Sequence, residues 1–143
     1  MSLFKKAIAS EDGEERRDLL DEITRMLRVH THIEEEIFYP AFREVVGTKK
    51  GEEQVLEAYE EHHVVDLVLA ELPDIDLESE TYKAKITVLK ELVEHHVEEE
   101  QEEMFPAAEK KLGKERLDEL AREMQAAAEE QQQALEAEGA AMH

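Results

Sequence analysis

The apolar side chains of this chain recur at alternating spacings of three and four residues, and this period most constrains its fold. Between residues 14 and 46, one stripe contains Leu19, Ile23, Met26, His30, Ile33 and Ile37. Residues at this spacing share one face of an α-helix, so the stripe predicts a helix with one buried face. No segment alternates with a sustained period of two, and strands are therefore not expected. The sequence predicts an all-α protein.

Glycine and proline interrupt this pattern at few places, because the 143 residues include five glycines and three prolines. These breaks leave four helical segments, at residues 14–46, 52–72, 79–111 and 114–138. Gly47 suits the position after a helix, where a left-handed backbone is accessible to glycine without strain. Ser79 is a candidate N-cap for the segment that it begins. We expect an antiparallel bundle with short loops.

A chain of this length fits a single hydrophobic core, so we expect one domain over residues 1–143. Residues 14–112 would form the core of the bundle. Residues 114–138 would form an additional amphipathic C-terminal helix, since apolar residues recur there at helical spacing.

The net charge limits the partners of this chain. Asp and Glu number 38 and Lys and Arg number 17, which gives a charge of −21 at pH 7. Such a chain repels phosphate backbones and anionic lipids, so we expect neither nucleic-acid nor membrane binding. The absence of cysteine excludes disulfides and thiolate metal sites. Neither a signal peptide nor an apolar run of about 20 residues is found, which predicts a cytoplasmic location.

A short pattern occurs twice, at an offset of 66 residues. The first copy spans residues 30–41 and the second spans residues 96–107. Both copies read H-x3-E-x3, followed by an apolar residue, an aromatic residue, Pro and Ala. Two matched helices can present the same groups to a shared interior, as the metal sites of helical bundles do.

The spacing of His and Glu within each copy suits a metal ion. Residues four apart on a helix differ by about 40° around the axis and about 6 Å along it. An imidazole and a carboxylate at this spacing leave the same face and can reach one cation. Without a thiolate, these donors suit iron, manganese or zinc. Because a carboxylate can bridge two cations, a centre of one or two ions is open at this point.

Spacing alone has little specificity, because three other histidines also have an acid four residues further on: His32, His62 and His95. The helical register is more informative. The pairs His30–Glu34 and His96–Glu100 fall on apolar stripes, whereas His32 falls among charged residues. A carboxylate on an apolar face is unfavourable to bury unless it is paired or coordinates a metal. We therefore favour a metal site, with a hydrogen-bonded His–Glu pair as the alternative.

The third helical segment adds a further candidate ligand. His62 shares its stripe with Val55 and Tyr59, whereas the adjacent His63 lies on a different line, so we favour His62. Asp66, one turn further on, has three interpretations: an extra ligand, an acceptor that fixes the imidazole tautomer, or a surface acid. We favour the surface acid.

Pro40 and Pro106 follow the His–Glu pairs of the two copies. Each proline removes one backbone hydrogen bond, so we expect each helix to bend or end there. The residues just before the prolines are interpreted as core side chains: Phe38, Tyr39, Met104 and Phe105.

Three blocks of sequence now carry a family resemblance, in this order: HTHIEEEIFYPAFRE, EEHHVVDLVLAEL and VEHHVEEEQEEMFPAAEKKLG. Together they resemble the bacterial HHE cation-binding branch of the hemerythrin family, over residues 14–124. The resemblance implies an up-down four-helix bundle with two non-haem irons, bridged by carboxylates and otherwise bound by histidines. By this resemblance, His30, His62 and His96 match terminal ligands. Glu34 and Glu100 match bridging carboxylates.

One element of the family pattern has no match. Members usually begin with a helix that carries a further His, in a stretch like L-x-x-D-H, and residues 1–13 contain no His. We therefore expect a hemerythrin-like bundle shortened at its N-terminus, with the gap filled by another group, by water or by a second subunit. A shortened bundle would expose an apolar groove, so we expect a homodimer that covers it.

The resemblance implies a cofactor of two non-haem iron ions, or of one, with zinc or manganese as substitutes in vitro. The leading hypothesis is a protein that binds O₂, NO or peroxide in sensing, storage or stress protection. One alternative is an enzyme that reduces peroxide or donates iron from the same site. The other is a non-catalytic helical interaction module with a degenerate site. No residue is assigned as a general acid or base, so enzymatic activity is left open.

Overall fold

The computed structural model describes residues 2–141, and the side chains of residues 3–137. The described residues form seven α-helices and no strand: α1 Ser2–Ala9, α2 Gly13–Ile33, α3 Tyr39–Val46, α4 Lys49–Glu71, α5 Thr81–Glu99, α6 Phe105–Leu112 and α7 Lys114–Ala141. Two π-helical turns, Glu34–Phe38 and Glu100–Met104, join α2 to α3 and α5 to α6. A short 3₁₀ turn, Leu72–Asp74, ends α4. The all-α prediction is confirmed.

Side chains and a glycine define the helix ends. Asp12 accepts a hydrogen bond from the backbone N–H of Glu15 at 3.2 Å and caps α2. Gly47 has φ of 58° and ends α3 in the left-handed conformation, as predicted. Helix α5 begins at Thr81, and Glu80 before it makes no capping hydrogen bond. The Ser79 hydroxyl accepts a hydrogen bond from the Thr81 N–H at 3.1 Å, which is the bond expected of the predicted N-cap.

The helices pack as an antiparallel bundle in which α1 and α7 share one side. Helix α1 lies against α2 and α5, whereas α7 lies against α2, α6 and the first π-helical turn. Leu3 of α1 and Leu135 of α7 line one cavity beside Met26, so the two helices approach each other end to end. The expected bundle, with a short first helix and an added C-terminal helix, is confirmed. The homodimer stays a prediction, and α7 covers part of the face that motivated it.

Two apolar clusters fill the interior, one towards each end of the bundle. The first joins α1, α2, α4 and α5, and its largest side chains include Phe4, Leu20, Ile23, Tyr82 and Leu89. The second joins α3, α4, α6 and the π-helical turns, and includes Phe38, Tyr39, Phe42, Val55 and Met104. The buried His and Glu side chains, which belong to α4, α5 and the two π-helical turns, lie between these two clusters. The site therefore has apolar packing on both sides.

The buried stripe of α2 differs from the predicted one. Met26 is 41% exposed, whereas Leu20 and Leu27 are buried beside Ile23. Thr31 is buried further along this helix, whereas the side chain of the predicted His30 is 46% exposed. The buried face therefore lies one position later than the sequence predicts.

Neither proline ends its helix, because the backbone continues through a π-helical turn before each of them. The N–H of Tyr39 bonds to the carbonyl of Glu34, five residues back, and the N–H of Phe105 bonds in the same way to Glu100. Each π-helical turn leaves its proline near the start of the next helix, where a missing N–H is tolerated. The extra residue in each π-helical turn rotates the helix that follows, so the inward-facing positions no longer continue the pattern of the helix before it.

A buried arginine ties α1 to the rest of the bundle. Arg16 donates from Nε to the carbonyl of Ser10 at 2.7 Å and from a terminal nitrogen to the carbonyl of Leu77. Its guanidinium lies 4.4 Å from the centre of the Tyr82 ring. Among the described residues, no helix has the length and apolar character needed to cross a membrane.

Candidate metal centre

Four of the five predicted ligands meet in the middle of the bundle. Glu34, His62, His96 and Glu100 are each at most 5% exposed. One ligand atom from each of these residues lies within 4.8 Å of the other three. His30 lies at the edge of the cluster, where its side chain is 46% exposed and its Nε2 is 2.8 Å from Glu34 Oε1. The structure therefore brings all five side chains into one connected group.

Three of four distances within the cluster match those between ligands around a cation, and the fourth is shorter. Glu34 Oε1 lies 3.1 Å from His62 Nε2 and 3.5 Å from His96 Nε2. Glu100 Oε1 lies 2.6 Å from His96 Nε2, and the two Nε2 atoms are 3.1 Å apart. Donors held about 2.0–2.2 Å from one metal, at right to tetrahedral angles, are separated by about 3–3.5 Å. The side chains need only small shifts to surround an ion.

Local helix geometry explains why these side chains converge. Each His–Glu pair spans one turn, and each Glu is the first residue of a π-helical turn. Such turns are frequent at functional sites because they widen the helix and reorient the residues that follow. His62 reaches the centre from α4, between the two rods.

Charge and burial act strongly on these groups. Burial lowers the pKa of His96, but hydrogen bonds to Glu100 and Glu34 outweigh it and raise the pKa to about 10. Burial raises the pKa of Glu34, but hydrogen bonds from His30, His62 and His96 outweigh it and lower the pKa below its usual range. Burial, with the nearby Glu34, raises the pKa of Glu100 against the opposing effect of His96. Without a cation, protons on imidazole balance the buried carboxylates.

Tyr39 belongs to the site, although the sequence analysis interpreted it as core. Its hydroxyl donates to Glu100 Oε1 at 2.7 Å and lies 3.2 Å from His62 Nε2 and 3.0 Å from His96 Nε2. Burial and the charges of Glu34 and Glu100 raise the pKa of Tyr39 far above its usual value. Phe105 holds the equivalent place before Pro106 but is 37% exposed, so the interpretation of Phe105 as core is wrong and the proline does not identify Tyr39.

Two carboxylates face the outer nitrogens of the histidines. Glu61 Oε1 lies 3.3 Å from His96 Nδ1, and Glu35 Oε1 lies 3.5 Å from His62 Nδ1. Within the described chain, His62 Nδ1 is buried without a hydrogen-bond partner. Carboxylates in such positions fix the tautomer of a metal-binding imidazole. Asp66, for which that role was one interpretation, is exposed.

No lysine or arginine of residues 3–137 forms an ion pair with Glu34 or Glu100. Two carboxylates and two imidazoles thus converge in a buried space without a permanent cationic side chain. A cavity of about 20 Å³ adjoins them on the side of the first apolar cluster. Its walls include Leu27, Val65 and Val93, together with the three histidines of the group.

The fold and the site define a class: a helical bundle with a buried metal-binding cluster of His and Glu. The sequence model of the hemerythrin HHE cation binding domain matches residues 2–108. The chain therefore belongs to the hemerythrin HHE family, and the predicted resemblance is confirmed.

Known relatives agree with this assignment. The crystal structure of a hemerythrin HHE cation binding domain-containing protein from Mycobacterium kansasii superposes with a TM-score of 0.77 at 28% identity, covering 93% of this chain and 80% of that one. A Nostoc sp. PCC 7120 protein named DNA nickase is 29% identical over 133 residues. That match covers 93% of this chain but only 37% of the Nostoc protein, so this chain spans little more than a third of it.

Proposed function

We propose that this protein binds two non-haem iron ions at the buried cluster and uses them to bind O₂, NO or peroxide. Its role would be sensing, storage or stress protection. One observation carries the proposal: the Nε2 atoms of His62 and His96 and the carboxylates of Glu34 and Glu100 converge within 4.8 Å in a buried space. Lone pairs that converge in this way require a cation or shared protons.

The donor set narrows the identity of the ion. Imidazole and carboxylate without sulfur suit iron, manganese or zinc, and membership of the hemerythrin HHE family favours iron. The orphaned His62 Nδ1 also fits this interpretation. When Nε2 binds a metal, the imidazole keeps its proton on Nδ1. Glu35 can then accept a hydrogen bond from this N–H after a small shift.

The position of Glu34 supports two ions. Its Oε1 lies 2.8 Å from His30 on one side and 3.1 Å from His62 on the other. A carboxylate between two imidazoles can bridge two ions, as Glu100 could from the opposite rod. His30 is 46% exposed, so an ion that it holds would keep coordination positions open to a small ligand.

The cavity next to the histidines suits a small apolar ligand. It measures about 20 Å³, and a water molecule needs about 10–15 Å³ on this measure. Iron would supply the electrons and the open coordination position for the ligand. The protein supplies a dry wall from Leu27, Val65 and Val93.

Metal analysis and spectroscopy of matched variants test this proposal. We expect protein from iron-supplied cells to contain about two irons per chain, with an absorption band that shifts on adding azide or NO. His62→Ala/His96→Ala should lose the metal and the band. His32→Ala/His63→Ala removes two exposed histidines that do not belong to the buried cluster and should retain both. Equal metal content in the two double variants, or no spectral response to azide and NO, would contradict the proposal.

We do not propose DNA nicking as a function of this chain. The match covers 37% of that protein, and a chain of charge −21 repels DNA. The small-molecule ligand, the cytoplasmic location and the homodimer remain part of the proposal.

A further inference from the structure

A second cluster of possible metal ligands lies outside the buried centre, between α4 and α5. It contains Glu61, His95 and Glu99, each of which offers one ligand atom within 4.8 Å of the other two. His95 Nε2 and Glu99 Oε1, one helical turn apart, are separated by 3.2 Å. The His95 side chain is 67% exposed and the two glutamates are partly exposed, and none of the three is a predicted ligand of the buried centre. We call this group the outer cluster.

The outer cluster is connected to the buried centre. Glu61 Oε1 lies 3.3 Å from His96 Nδ1, so one carboxylate contacts both groups. A cavity of about 10 Å³ is lined by Glu61 and Glu99 on the outside and by His96 and Glu100 on the inside. An open cavity of about 460 Å³ begins beyond it, at Glu61, His95 and Glu99. The outer cluster therefore lies between solvent and the buried ligands.

The charge around this opening favours cations. Besides the buried Glu100, five glutamates line the two cavities: Glu57, Glu60, Glu61, Glu99 and Glu103. Among the described side chains, none of these five forms an ion pair with lysine or arginine, whereas acids elsewhere do, as Glu71 does with Lys85 and Glu94 does with Lys90. A recess lined by one sign of charge raises the local concentration of counter-ions.

We propose that Glu61, His95 and Glu99 form a second divalent-cation site that loads the buried centre. It would take first-row divalent ions, since its donors are one imidazole and two carboxylates. Three partly exposed ligands hold an ion less firmly than a buried set, which suits transfer. The loading role rests on the proposed metal-binding function of the buried cluster, whereas the existence of the outer site does not.

Cobalt uptake by the metal-free protein tests the loading role, because cobalt is a redox-stable ion with a visible spectrum. In His95→Ala/Glu99→Gln we expect loading of the buried centre to slow about tenfold in stopped-flow absorbance, with unchanged final occupancy. His32→Ala/Glu36→Gln removes another exposed His and Glu four residues apart and should load at the wild-type rate. A wild-type loading rate in His95→Ala/Glu99→Gln overturns the proposal.

Equilibrium dialysis with cobalt tests the outer site by itself. Glu34→Gln/Glu100→Gln removes two buried charges while preserving side-chain size and the contact of Glu61 with His96. We expect this variant to retain one cobalt ion per chain and to lose it when His95→Ala/Glu99→Gln is added. Failure to retain that ion overturns the outer site. If wild-type protein binds only this ion, the proposed function fails while the outer site stands.

Discussion

Metal binding at the buried centre must displace a proton from His96, and this makes the affinity depend on pH. In the metal-free protein, hydrogen bonds to Glu100 and Glu34 outweigh the opposing effect of burial and raise the pKa of His96 from 6.5 to about 10. A metal binds only the neutral imidazole. Because pH 7 lies about 3 units below that pKa, removing the proton from His96 opposes metal binding by about 4 kcal/mol. The apparent affinity should therefore rise about tenfold per pH unit.

The raised pKa of His96 also determines how the stability of the metal-free protein changes with pH. The folded-state pKa of His96 lies above its unfolded value of 6.5, so the folded protein binds the proton more tightly. This stabilisation is fully present below about pH 6.5 and is lost as pH rises through about 10. Metal affinity rises over the same window. The stabilisation gained on adding metal should therefore increase with pH.

Cobalt titrations at pH 6.5, 7.5 and 8.5, each against a competing chelator, measure this dependence. Calorimetry in two buffers of different protonation enthalpy should show release of about one proton or more per ion bound. His63→Ala, which removes an exposed histidine, should give the same slope as wild type. An affinity that stays constant between pH 6.5 and 8.5 would refute the protonated His96–Glu100 pair on which the calculation rests.

Three further variants and one assay of the wild-type protein have defined outcomes. Tyr39→Phe removes the hydroxyl that donates to Glu100, so urea unfolding of the metal-free protein should show a loss of about 1–2 kcal/mol with metal content retained. Arg16→Met leaves two backbone carbonyls without their donor, and the same assay should show a loss of about 3 kcal/mol. His30→Ala should lower the iron content from about two ions to one in metal analysis, because His30 contacts only the open side of the centre. Incubation with supercoiled plasmid at low ionic strength should show neither nicking nor retardation, and either result would contradict the argument from charge.

Sequence periodicity predicted the main helices and selected five side chains that the structure brings into one group. A histidine and a glutamate four residues apart on an apolar stripe have few stable environments, because a buried carboxylate requires a partner. That argument selected His30–Glu34 and His96–Glu100. The choice of His62 over His63 followed from the same reasoning, and the structure places His62 in the cluster at 3% exposure.

The rest could not be predicted from local pattern. Periodicity assumes a uniform 3.6-residue helix, so it fails at the π-helical turns that start at Glu34 and Glu100. Tyr39 is buried as predicted, but the bond of its hydroxyl to Glu100 was not predicted. The contacts of Glu35 and Glu61 with histidine Nδ1 atoms depend on which faces of separate helices meet. The position of α7 along α2 is likewise a tertiary property that its own amphipathic sequence does not specify.

The two copies of the repeat share a backbone but differ in what they expose. In the first copy the histidine, His30, is 46% exposed while Tyr39 is fully buried. In the second copy His96 is 5% exposed, and Phe105, which corresponds to Tyr39, is 37% exposed. The same π-helical turn thus brings a hydroxyl into the centre from one rod only. Two ions held between these copies would have unlike surroundings, and the open coordination position would belong to the ion at His30.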